Sequence, residues 1–437
     1  MKLSKGYDLW NKSLHIIPGG TGLLSKRPDR YASHLWPTYF DSAKGIGLID
    51  LDGNKWKDFA QMGLGCAILG YNNKELNSHV YRLINKGINT SLNCPEEYEL
   101  AKKLLKINKF AKGVRFCRSG GEAMAIATRI ARAKTNSTKI AFSGYHGWHD
   151  WYLSTNLQNK KNLNNHLISN LSTSGVPKEL KETVYPFKFN SVSELKKILN
   201  QNKSIKIIVI EGARKEIISN EMSEYLNYVQ KKLNKIIIFD EITSGLRTST
   251  AGIYKKINFN PNIVVYGKAL GNGFAINAIV GDETMFVAEQ SFISSSFHTE
   301  RVGFVAALKT LEIIEKNKLW IHLDKVGKKV IKSWNEISNF YDIDINTNTF
   351  YPLPSFSFNY KNGLSYLTFI VQELVKSNIL ASGSIYLSME HTETEIDYYL
   401  RKIEPIFKKL SKIIRSKEKS KNFLEIPLIN TGFGRLT

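Results

Sequence analysis

The chain has 437 residues, of which 42% are hydrophobic and 23% charged, as is usual for a soluble globular protein with a large core. The formal net charge is +22, but the lysines are spread along the whole sequence, which argues against nucleic acid as the primary partner. No apolar run approaches the roughly 20 residues that cross a bilayer, and the N-terminus has no apolar signal core. The three cysteines lack metal-ligand spacing, which suits a reducing cytosol, so we expect a cytoplasmic protein without membrane contact.

The first hundred or so residues combine turns, a hairpin and helices. A short helix-like opening precedes turn signals such as Pro18-Gly19-Gly20. Residues 47–59 predict a hairpin around the Asp52-Gly53-Asn54 turn. Residues 74–107 have helical periodicity.

The middle of the chain alternates short apolar runs with amphipathic segments. The apolar runs are 114–117, 138–143, 205–211, 235–241, 263–267 and 276–281. This alternation predicts a mainly parallel sheet covered by helices on both faces. Ligands of such sheets bind beyond the carboxyl ends of the strands.

The last hundred or so residues change character and predict a smaller α/β domain. Helical runs at 302–338, 364–378 and 393–415 are interrupted by a strand-like piece at 355–358. We divide the chain into an N-terminal segment, 1–55, that joins the small domain, a large domain, 56–315, and a C-terminal small domain, 316–437.

Two neighbouring apolar runs end in charged residues. One delivers Asp240 and Glu241, and the next ends in Gly267 and Lys268. A carboxylate and a lysine at the ends of adjacent strands suit pyridoxal phosphate (PLP), because the lysine forms the Schiff base and the aspartate keeps the pyridine nitrogen protonated. The alternative is a surface lysine after a buried strand, unless the chain also supplies a phosphate site and a ring-stacking residue.

Two further segments meet this requirement. Ser119, Gly120 and Gly121 precede a clear helix, whose N-terminus would offer free N–H groups to a phosphate, although a simple helix cap is the alternative. Tyr145 lies in a glycine-flanked turn after an apolar run and could lie flat against a pyridine ring. The two histidines three apart, His146 and His149, with Asp150 beside them, could instead suggest a metal site, but no further ligand has a compelling spacing, so no metal is expected.

In order and spacing, these segments resemble class III (fold-type I) PLP-dependent aminotransferases, in particular the glutamate-1-semialdehyde 2,1-aminomutase-like members. The likeness covers most of the chain. It rests on Ser119-Gly120-Gly121-Glu122-Ala123, Tyr145-His146-Gly147, Phe239-Asp240-Glu241-Ile242-Thr243-Ser244-Gly245 and Gly267-Lys268-Ala269-Leu270-Gly271-Asn272-Gly273. The resemblance implies an α/β fold with a large domain, built on a mainly parallel seven-stranded sheet between helices, and a smaller α/β domain from the N- and C-terminal segments.

The resemblance also implies roles for single residues. Lys268 would be the Schiff-base lysine and proton shuttle, and Asp240 the partner of the pyridine nitrogen. Tyr145 would stack on the ring and Thr243 would contact the cofactor, while Ser119, Gly120 and Gly121 would hold its phosphate. In this family a hydroxyl of the neighbouring subunit reaches that phosphate; Ser296 takes this place, with Thr299 as the nearby alternative. A homodimer is therefore implied.

Departures from the family pattern bear on the reaction. Gly121 replaces a threonine, and Ile210-Glu211-Gly212 replaces Val-Glu-Pro. The aminomutase stretch Asn-Ser-Pro-Val-Arg has no match in residues 21–27, and residues 381–388 lack the acid of the Phe-Glu-Ala-Gly-Phe segment. We therefore expect a ping-pong aminotransferase that uses a small-molecule amino donor and a ketone or aldehyde acceptor. The alternatives are an aminomutase and a non-catalytic PLP-fold binding protein, and the intact Lys268 and Asp240 argue against the latter.

Overall fold

The computed structural model describes residues 3–164, 166–417 and 419–433. Its strands are β1 (Phe40–Lys44), β2 (Gly47–Asp50), β3 (Lys55–Phe59), β4 (Gly113–Cys117), β5 (Ile140–Ser143), β6 (Val184–Pro186), β7 (Ile207–Glu211), β8 (Ile236–Asp240), β9 (Ile263–Tyr266), β10 (Asn277–Gly281), β11 (Ile345–Thr347), β12 (Phe356–Phe358) and β13 (Ile379–Ala381). Its α-helices are α1 (Ser4–Ile16), α2 (Lys74–Ile84), α3 (Pro95–Ile107), α4 (Gly120–Thr135), α5 (Asp150–Leu153), α6 (Val192–Gln201), α7 (Asn220–Leu233), α8 (Ile253–Lys256), α9 (Arg301–Asn317), α10 (Leu319–Phe340), α11 (Gly363–Lys376) and α12 (Glu393–Ser416).

The residues fall into two compact units. One consists of the chain up to Asn73 together with the chain from Ile321 onward, and the other of Lys74–Trp320. Compactness does not show which segments fold together, so the domain boundaries proposed near residues 55 and 315 stay a prediction. None of the helices in the described ranges has the length and apolarity needed to cross a lipid bilayer.

The unit Lys74–Trp320 is built on a seven-stranded sheet with the order β4-β10-β9-β8-β7-β5-β6. Strand β10 is antiparallel to both of its neighbours, whereas β5 to β9 pair in parallel. Six strands therefore point the same way, and the predicted α/β fold with a mainly parallel seven-stranded sheet is confirmed. Each predicted apolar run contains a strand. The runs did not reveal β6, because its three residues, Val-Tyr-Pro, are too few to show a period.

Helix α4 fixes the start of the site because its N-terminus follows directly after β4. Its alanine-rich sequence favours a helix, and Ser119 and Glu122 form a capping box at its first turn. The buried face of α4 packs into a core with the sheet. That core includes Ala123, Met124, Ala127, Ile130, Ile140, Phe142, Val209, Ile238, Val265 and Ile279.

The other unit contains a four-stranded sheet with the order β1-β2-β3-β13 and a two-stranded sheet of β11 and β12. The predicted hairpin at 47–59 is confirmed as β2 and β3, which pair antiparallel around Gly53, whose φ is +85°. Helix α11 buries residues such as Phe369, Val371 and Val375, and α12 buries Ile403, Phe407 and Leu410.

Two predicted helical runs are each divided in the structure. The run at 74–107 forms α2 and α3, with Pro95 at the start of the second helix, a position that suits proline. The run at 302–338 forms α9 and α10, because Lys318 adopts a left-handed φ of +45° and ends α9. No glycine or proline marks that break, so the sequence pattern did not reveal it.

Candidate active site

The predicted site residues of the sheet lie at the carboxyl ends of neighbouring strands. Asp240 ends β8, Glu211 ends the adjacent β7, and Lys268 follows β9 on the other side. Tyr145 follows β5, the strand beyond β7. Because these strands run parallel, their carboxyl ends meet at one edge of the sheet, where ligands of such folds bind.

Lys268 is held in a constrained position. Its backbone adopts a left-handed φ of +44°, at the start of the 3-10 turn Lys268–Gly271. The Lys268 Nζ donates to Thr243 Oγ1 at 2.9 Å. The preceding Gly267 is required by a close approach, since a Cβ there would lie 2.0 Å from Asn277 Oδ1. The structure therefore brings the two predicted residues Lys268 and Thr243 together.

Asp240 is buried, with 4% of its surface exposed, and is held from two sides. Its Oδ1 accepts from the Ile242 amide at 2.9 Å, and its Oδ2 lies 2.7 Å from His146 Nδ1. The other ring nitrogen of His146 lies 3.2 Å from the Ser143 carbonyl oxygen. A carbonyl oxygen and an ionised carboxylate both only accept, so each ring nitrogen of His146 faces an acceptor, and the imidazole holds the Asp240 side chain through Nδ1.

The role of His146 was missed from the sequence, where it was weighed only as a metal ligand. A signal was present, because His146 follows Tyr145 directly in the Tyr145-His146-Gly147 motif. Among the residues that the structure describes, no group of three or more histidine, cysteine, aspartate or glutamate side chains is placed to hold a metal ion.

Glu241, the acid next to Asp240, faces the protein interior and not the strand-end edge. Its carboxyl group accepts from the amides of Ile253 and Tyr254, at 2.6 and 3.3 Å, and from the Ser244 hydroxyl. Burial raises the pKa of Glu241 to about 8, against an ordinary 4.5. Glu241 therefore keeps a proton at neutral pH and serves to fix the start of α8.

Glu241→Gln tests whether burial raises the pKa of Glu241. Between pH 4.5 and about 8 the folded state holds a proton that the unfolded state has released. The free energy of unfolding therefore falls as pH rises through this window, by up to about 1.4 kcal/mol per pH unit. We expect Glu241→Gln to remove this slope in urea titrations, while Glu224→Gln, at an exposed position of α7, keeps it. An unchanged slope in Glu241→Gln would contradict the assignment.

The N-terminus of α4 is suited to an anion. The described residues provide no recorded acceptor for the amides of Gly120 and Gly121, which belong to the first turn of this 16-residue helix. From the described part of the chain, Ser119 Oγ accepts a single long bond, from the Glu122 amide at 3.4 Å. A helix N-terminus with free N–H groups binds phosphate readily, so this cradle fits the phosphate of PLP.

Close packing explains why glycine occupies position 121. A Cβ on Gly121 would lie 2.8 Å from His149 Nδ1, and a Cβ on Gly147 would lie 2.8 Å from the Gly121 Cα. The larger residue that the family has at position 121 would therefore force His149 aside. The same contacts place the turn after Tyr145 against the α4 N-terminus, so two predicted elements meet here.

Tyr145 is half-buried and anchored through its backbone. Its amide donates to Glu211 Oε2 at 3.1 Å, and its ring meets Tyr152 edge-on at 5.9 Å between centroids. Burial raises the pKa of the Tyr145 hydroxyl, although the charge of Arg214 acts in the opposite direction. The Tyr145 hydroxyl therefore lies within the range of the charge of Arg214, a residue that was not selected from the sequence.

Glu211 and Arg214 form a second pair that was missed. The guanidinium binds both carboxylate oxygens of Glu211, and its Nη2 donates to Thr243 Oγ1 at 3.2 Å. Burial alone would raise the pKa of Glu211, but the charge and hydrogen bonds of Arg214 hold it below its ordinary value. The pair is therefore ionised, and it connects β7 to Thr243, the residue to which Lys268 donates.

The segment 294–301 lies beside the start of α4. Arg118 donates to the carbonyl oxygens of His298 and Glu300, at 3.0 and 2.7 Å, and His298 pairs with Glu122. The side chains of Ser296 and Thr299 are exposed. Within the described parts of one protomer, neither side chain has a recorded hydrogen bond to a predicted cofactor residue, and the predicted contact with a neighbouring subunit stays a prediction.

Comparisons with known proteins agree with this arrangement. Residues 30–345 match the family model "Aminotransferase class-III". The chain is 30% identical over 432 residues to the 3-aminobutyryl-CoA aminotransferase of Cloacimonas acidaminovorans, covering 95% of this chain and 99% of that protein. It is 26% identical over 437 residues to the glutamate-1-semialdehyde 2,1-aminomutase of Methanosphaera stadtmanae, covering 94% of this chain and all of that protein.

Solved structures show the same fold. The FumI protein of Sphingopyxis sp. MTA144, solved with PLP, superposes with a TM-score of 0.85 at 18% identity and covers 96% of this chain and 100% of its own. An omega-transaminase from Sphaerobacter thermophilus superposes with a TM-score of 0.82 at 19% identity and covers 93% of this chain and 98% of its own. With the family match over most of its length and an edge that fits PLP, the chain belongs to the class III aminotransferases and is a PLP-dependent aminotransferase.

Proposed function

We propose that this enzyme moves an amino group from a small-molecule amine to a ketone or aldehyde in two half-reactions, with Lys268 as the residue that carries the cofactor. One observation supports this most strongly. The Lys268 Nζ, 2.9 Å from the buried Thr243 hydroxyl, lies at the same sheet edge as the buried Asp240 carboxylate. A lysine and a buried acid on adjacent strands are what covalent PLP catalysis requires.

In this proposal each residue has a distinct task. When bound, PLP supplies a ring that accepts the electron pair left on the substrate carbon. Lys268 holds the cofactor at rest and moves the substrate proton when its amine is free. Asp240, fixed by His146 and the Ile242 amide, keeps the ring nitrogen protonated. Tyr145 covers the ring and Thr243 contacts the cofactor, while Ser119, Gly120 and Gly121 bind the phosphate.

The substrate is proposed to differ from that of the aminomutases. Arg27, the nearest arginine to the family's carboxylate-binding position, is itself paired with Asp29 at 2.8 Å and is 5% exposed. A 30% identical relative is named for 3-aminobutyryl-CoA, which makes 3-amino acyl thioesters the first donors to test. Supporting structures include a β-phenylalanine aminotransferase from Variovorax paradoxus, with a TM-score of 0.77.

A panel of donors and acceptors tests this proposal. Purified enzyme with PLP is mixed with each amine, and the absorbance band of the bound cofactor is followed. We expect at least one 3-amino acid or 3-amino thioester to change the band and a second, carbonyl substrate to restore it. If no amine changes the band of the loaded enzyme, the proposal fails.

An intramolecular amino transfer is the second candidate. It is supported by the 26% identical aminomutase relative, which the chain matches over its whole length. The two candidates differ in stoichiometry, because an aminomutase turns over one substrate without a second carbonyl compound. Sustained conversion of glutamate-1-semialdehyde alone would favour it.

We further propose that the working unit is a homodimer in the cytoplasm. The exposed segment 294–301 is joined to residues 88–98 through Asn89, which donates to the Ser296 carbonyl oxygen at 3.2 Å. Large apolar side chains are exposed in and near these segments: Leu92 at 83%, Tyr98 at 70%, Phe292 at 88% and Phe297 at 64%. An apolar patch of this kind suits a protein interface, and three free cysteines suit a reducing compartment.

The proposed contribution of Ser296 in trans can be measured. Ser296→Ala should weaken PLP binding by one hydrogen bond to a charged group, about 1.5–3 kcal/mol, and Thr299→Ala should do less. Dissociation constants for PLP, measured by fluorescence quenching, give both values.

Mixed dimers supply the control for this prediction. Combining Ser296→Ala with Lys268→Ala chains should produce dimers in which one site carries both defects and the other carries neither, so activity should recover in part. A fully active monomer in sedimentation would contradict the proposal, as would a larger loss from Thr299→Ala than from Ser296→Ala.

A further inference from the structure

Arg214 owes its position to a local departure from the family's Val-Glu-Pro motif. Gly212 stands at the proline position, and its amide donates to the Asp240 carbonyl oxygen at 3.2 Å, a bond that proline cannot make. A Cβ at Gly212 would also lie 2.8 Å from Phe239 Cε1 and 3.2 Å from Ile253 Cβ. The chain therefore leaves β7 close to β8, on a path that glycine permits.

The loop then closes on itself and directs Arg214 toward the strand ends. Ile218 donates to the Gly212 carbonyl oxygen at 3.2 Å, and the Arg214 amide donates to the Glu216 carbonyl oxygen at 3.3 Å. The guanidinium is anchored on the buried Glu211, which ends β7. Arg214 is thus a fixed cation at the edge that carries Lys268.

Arg214 and Lys268 share one acceptor. Arg214 Nη2 and Lys268 Nζ both donate to Thr243 Oγ1, at 3.2 and 2.9 Å. A hydroxyl has two lone pairs and one hydrogen, so both lone pairs are used and the hydrogen must find another acceptor. Thr243 is 4% exposed, and the described part of the chain records no acceptor for its hydroxyl hydrogen.

We propose that Arg214 is a positioning residue for the Thr243 hydroxyl. Arg214 donates to one lone pair of this hydroxyl and Lys268 Nζ donates to the second lone pair. The hydroxyl is thereby fixed so that its own hydrogen is donated to an oxygen of bound PLP. This inference rests on the proposed transamination through Lys268. In this proposal the turn at Gly212 places Arg214, and through it orients Thr243 and Lys268, the two groups that touch the cofactor. Arg214 itself acts only through Thr243.

The charges around Arg214 determine how the inference is tested. Glu211 pairs with it from β7, and its charge acts on the hydroxyls of Tyr145, after β5, and of Tyr152, in α5. Lys268, after β9, shares its acceptor Thr243. Removing Arg214 alone leaves the buried Glu211 carboxylate without its counter-charge. That negative charge would favour the protonated form of the linkage between Lys268 and PLP. A charge-balanced double variant therefore separates the effect of charge from the effect of orientation.

The experiment compares Arg214→Met, Arg214→Lys and the double variant Glu211→Gln/Arg214→Met with wild type. Lys215→Gln is the matched control, because it removes an exposed cation from the same loop. Two quantities are measured per bound PLP: the pH at which the absorbance of the loaded enzyme titrates without substrate, and kcat with KM for the donor.

For Arg214→Met we expect a titration midpoint higher by about one pH unit, from a charge lost roughly 6 Å away, and a kcat at least about 10-fold lower with little change in KM. The double variant should regain most of the wild-type midpoint but keep the low kcat, since Thr243 is free to rotate. Arg214→Lys should restore the midpoint and part of kcat, and Lys215→Gln should match wild type.

If Arg214→Met loses thermal stability but matches Lys215→Gln in midpoint and in kcat per bound PLP, Arg214 is a structural residue and the inference is overturned. Failure of the proposed function is distinguishable, because wild type itself would then show neither the lysine-linked band nor its response to any amine.

Discussion

Lys268→Ala is expected to abolish turnover while PLP still binds without a covalent link. Lys268 is proposed both to carry the cofactor and to move the substrate proton, so its loss should lower kcat by at least about 10³-fold. The α4 N-terminus, Asp240 and Thr243 remain in place in the variant, and they should retain the cofactor. Absorbance of the loaded protein then shows the free aldehyde, and steady-state assays give the rate.

Lys318→Ala is a matched control for this substitution. Lys318 also adopts a left-handed backbone, with φ +45° against +44° for Lys268, but it is exposed at the end of α9. Both variants therefore place alanine in the same unfavourable conformation. We expect Lys318→Ala to keep the lysine-linked absorbance band and wild-type kcat. Appreciable turnover by Lys268→Ala would remove Lys268 from its role.

Asp240→Asn is expected to preserve the fold and lower the rate by about 10²–10⁴-fold. Asparagine has the shape of aspartate, so its oxygen can still accept from the Ile242 amide, and its amide group occupies the place of the oxygen that faces His146 Nδ1. The main change is therefore the loss of the negative charge. Without it the ring nitrogen of PLP is no longer held protonated, and the ring is a weaker electron acceptor.

Asp282→Asn is the matched control for Asp240→Asn, because it removes an acid after another strand of the same sheet. Asp282 follows β10 and caps the turn after it, accepting from the Thr284 amide at 2.9 Å. Because β10 is antiparallel to β9, this residue lies at the opposite edge of the sheet from Lys268. We expect it to affect thermal stability more than kcat. Wild-type kinetics in Asp240→Asn would exclude Asp240 as the partner of the ring nitrogen.

Much of the large sheet could be predicted from the sequence because its strands are buried on both faces. Runs such as Lys235-Ile236-Ile237-Ile238-Phe239 show no polar alternation and are followed by acids, so both the strand and its functional end are visible. The antiparallel direction of β10 was not predicted, because an apolar run carries no information about its direction. The break at Lys318 was missed for a similar reason, since a lysine rarely adopts the left-handed backbone.

His146 and Arg214, which contact the predicted site residues Asp240 and Thr243, could not be found from apolar runs. His146 is 94 positions from Asp240, and Arg214 is 29 positions from Thr243. Each contact depends on how loops after different strands turn toward one another. The replacement of the family's proline by Gly212 was visible in the sequence. Its consequence is that Arg214 lies next to Thr243, and this follows only from the close packing of Gly212 on Phe239.

The stoichiometry of a single half-reaction tests most directly whether this enzyme transfers an amino group through Lys268 in two separate steps. PLP-loaded enzyme is mixed with an excess of a reactive amine in the absence of any carbonyl acceptor, and the carbonyl product is counted per Lys268-bound cofactor. We expect one equivalent of product and then no more, with turnover resuming only when an acceptor is added. Continued turnover of a single substrate without an acceptor, or no product from the loaded wild-type enzyme with any amine, would contradict this two-step transfer.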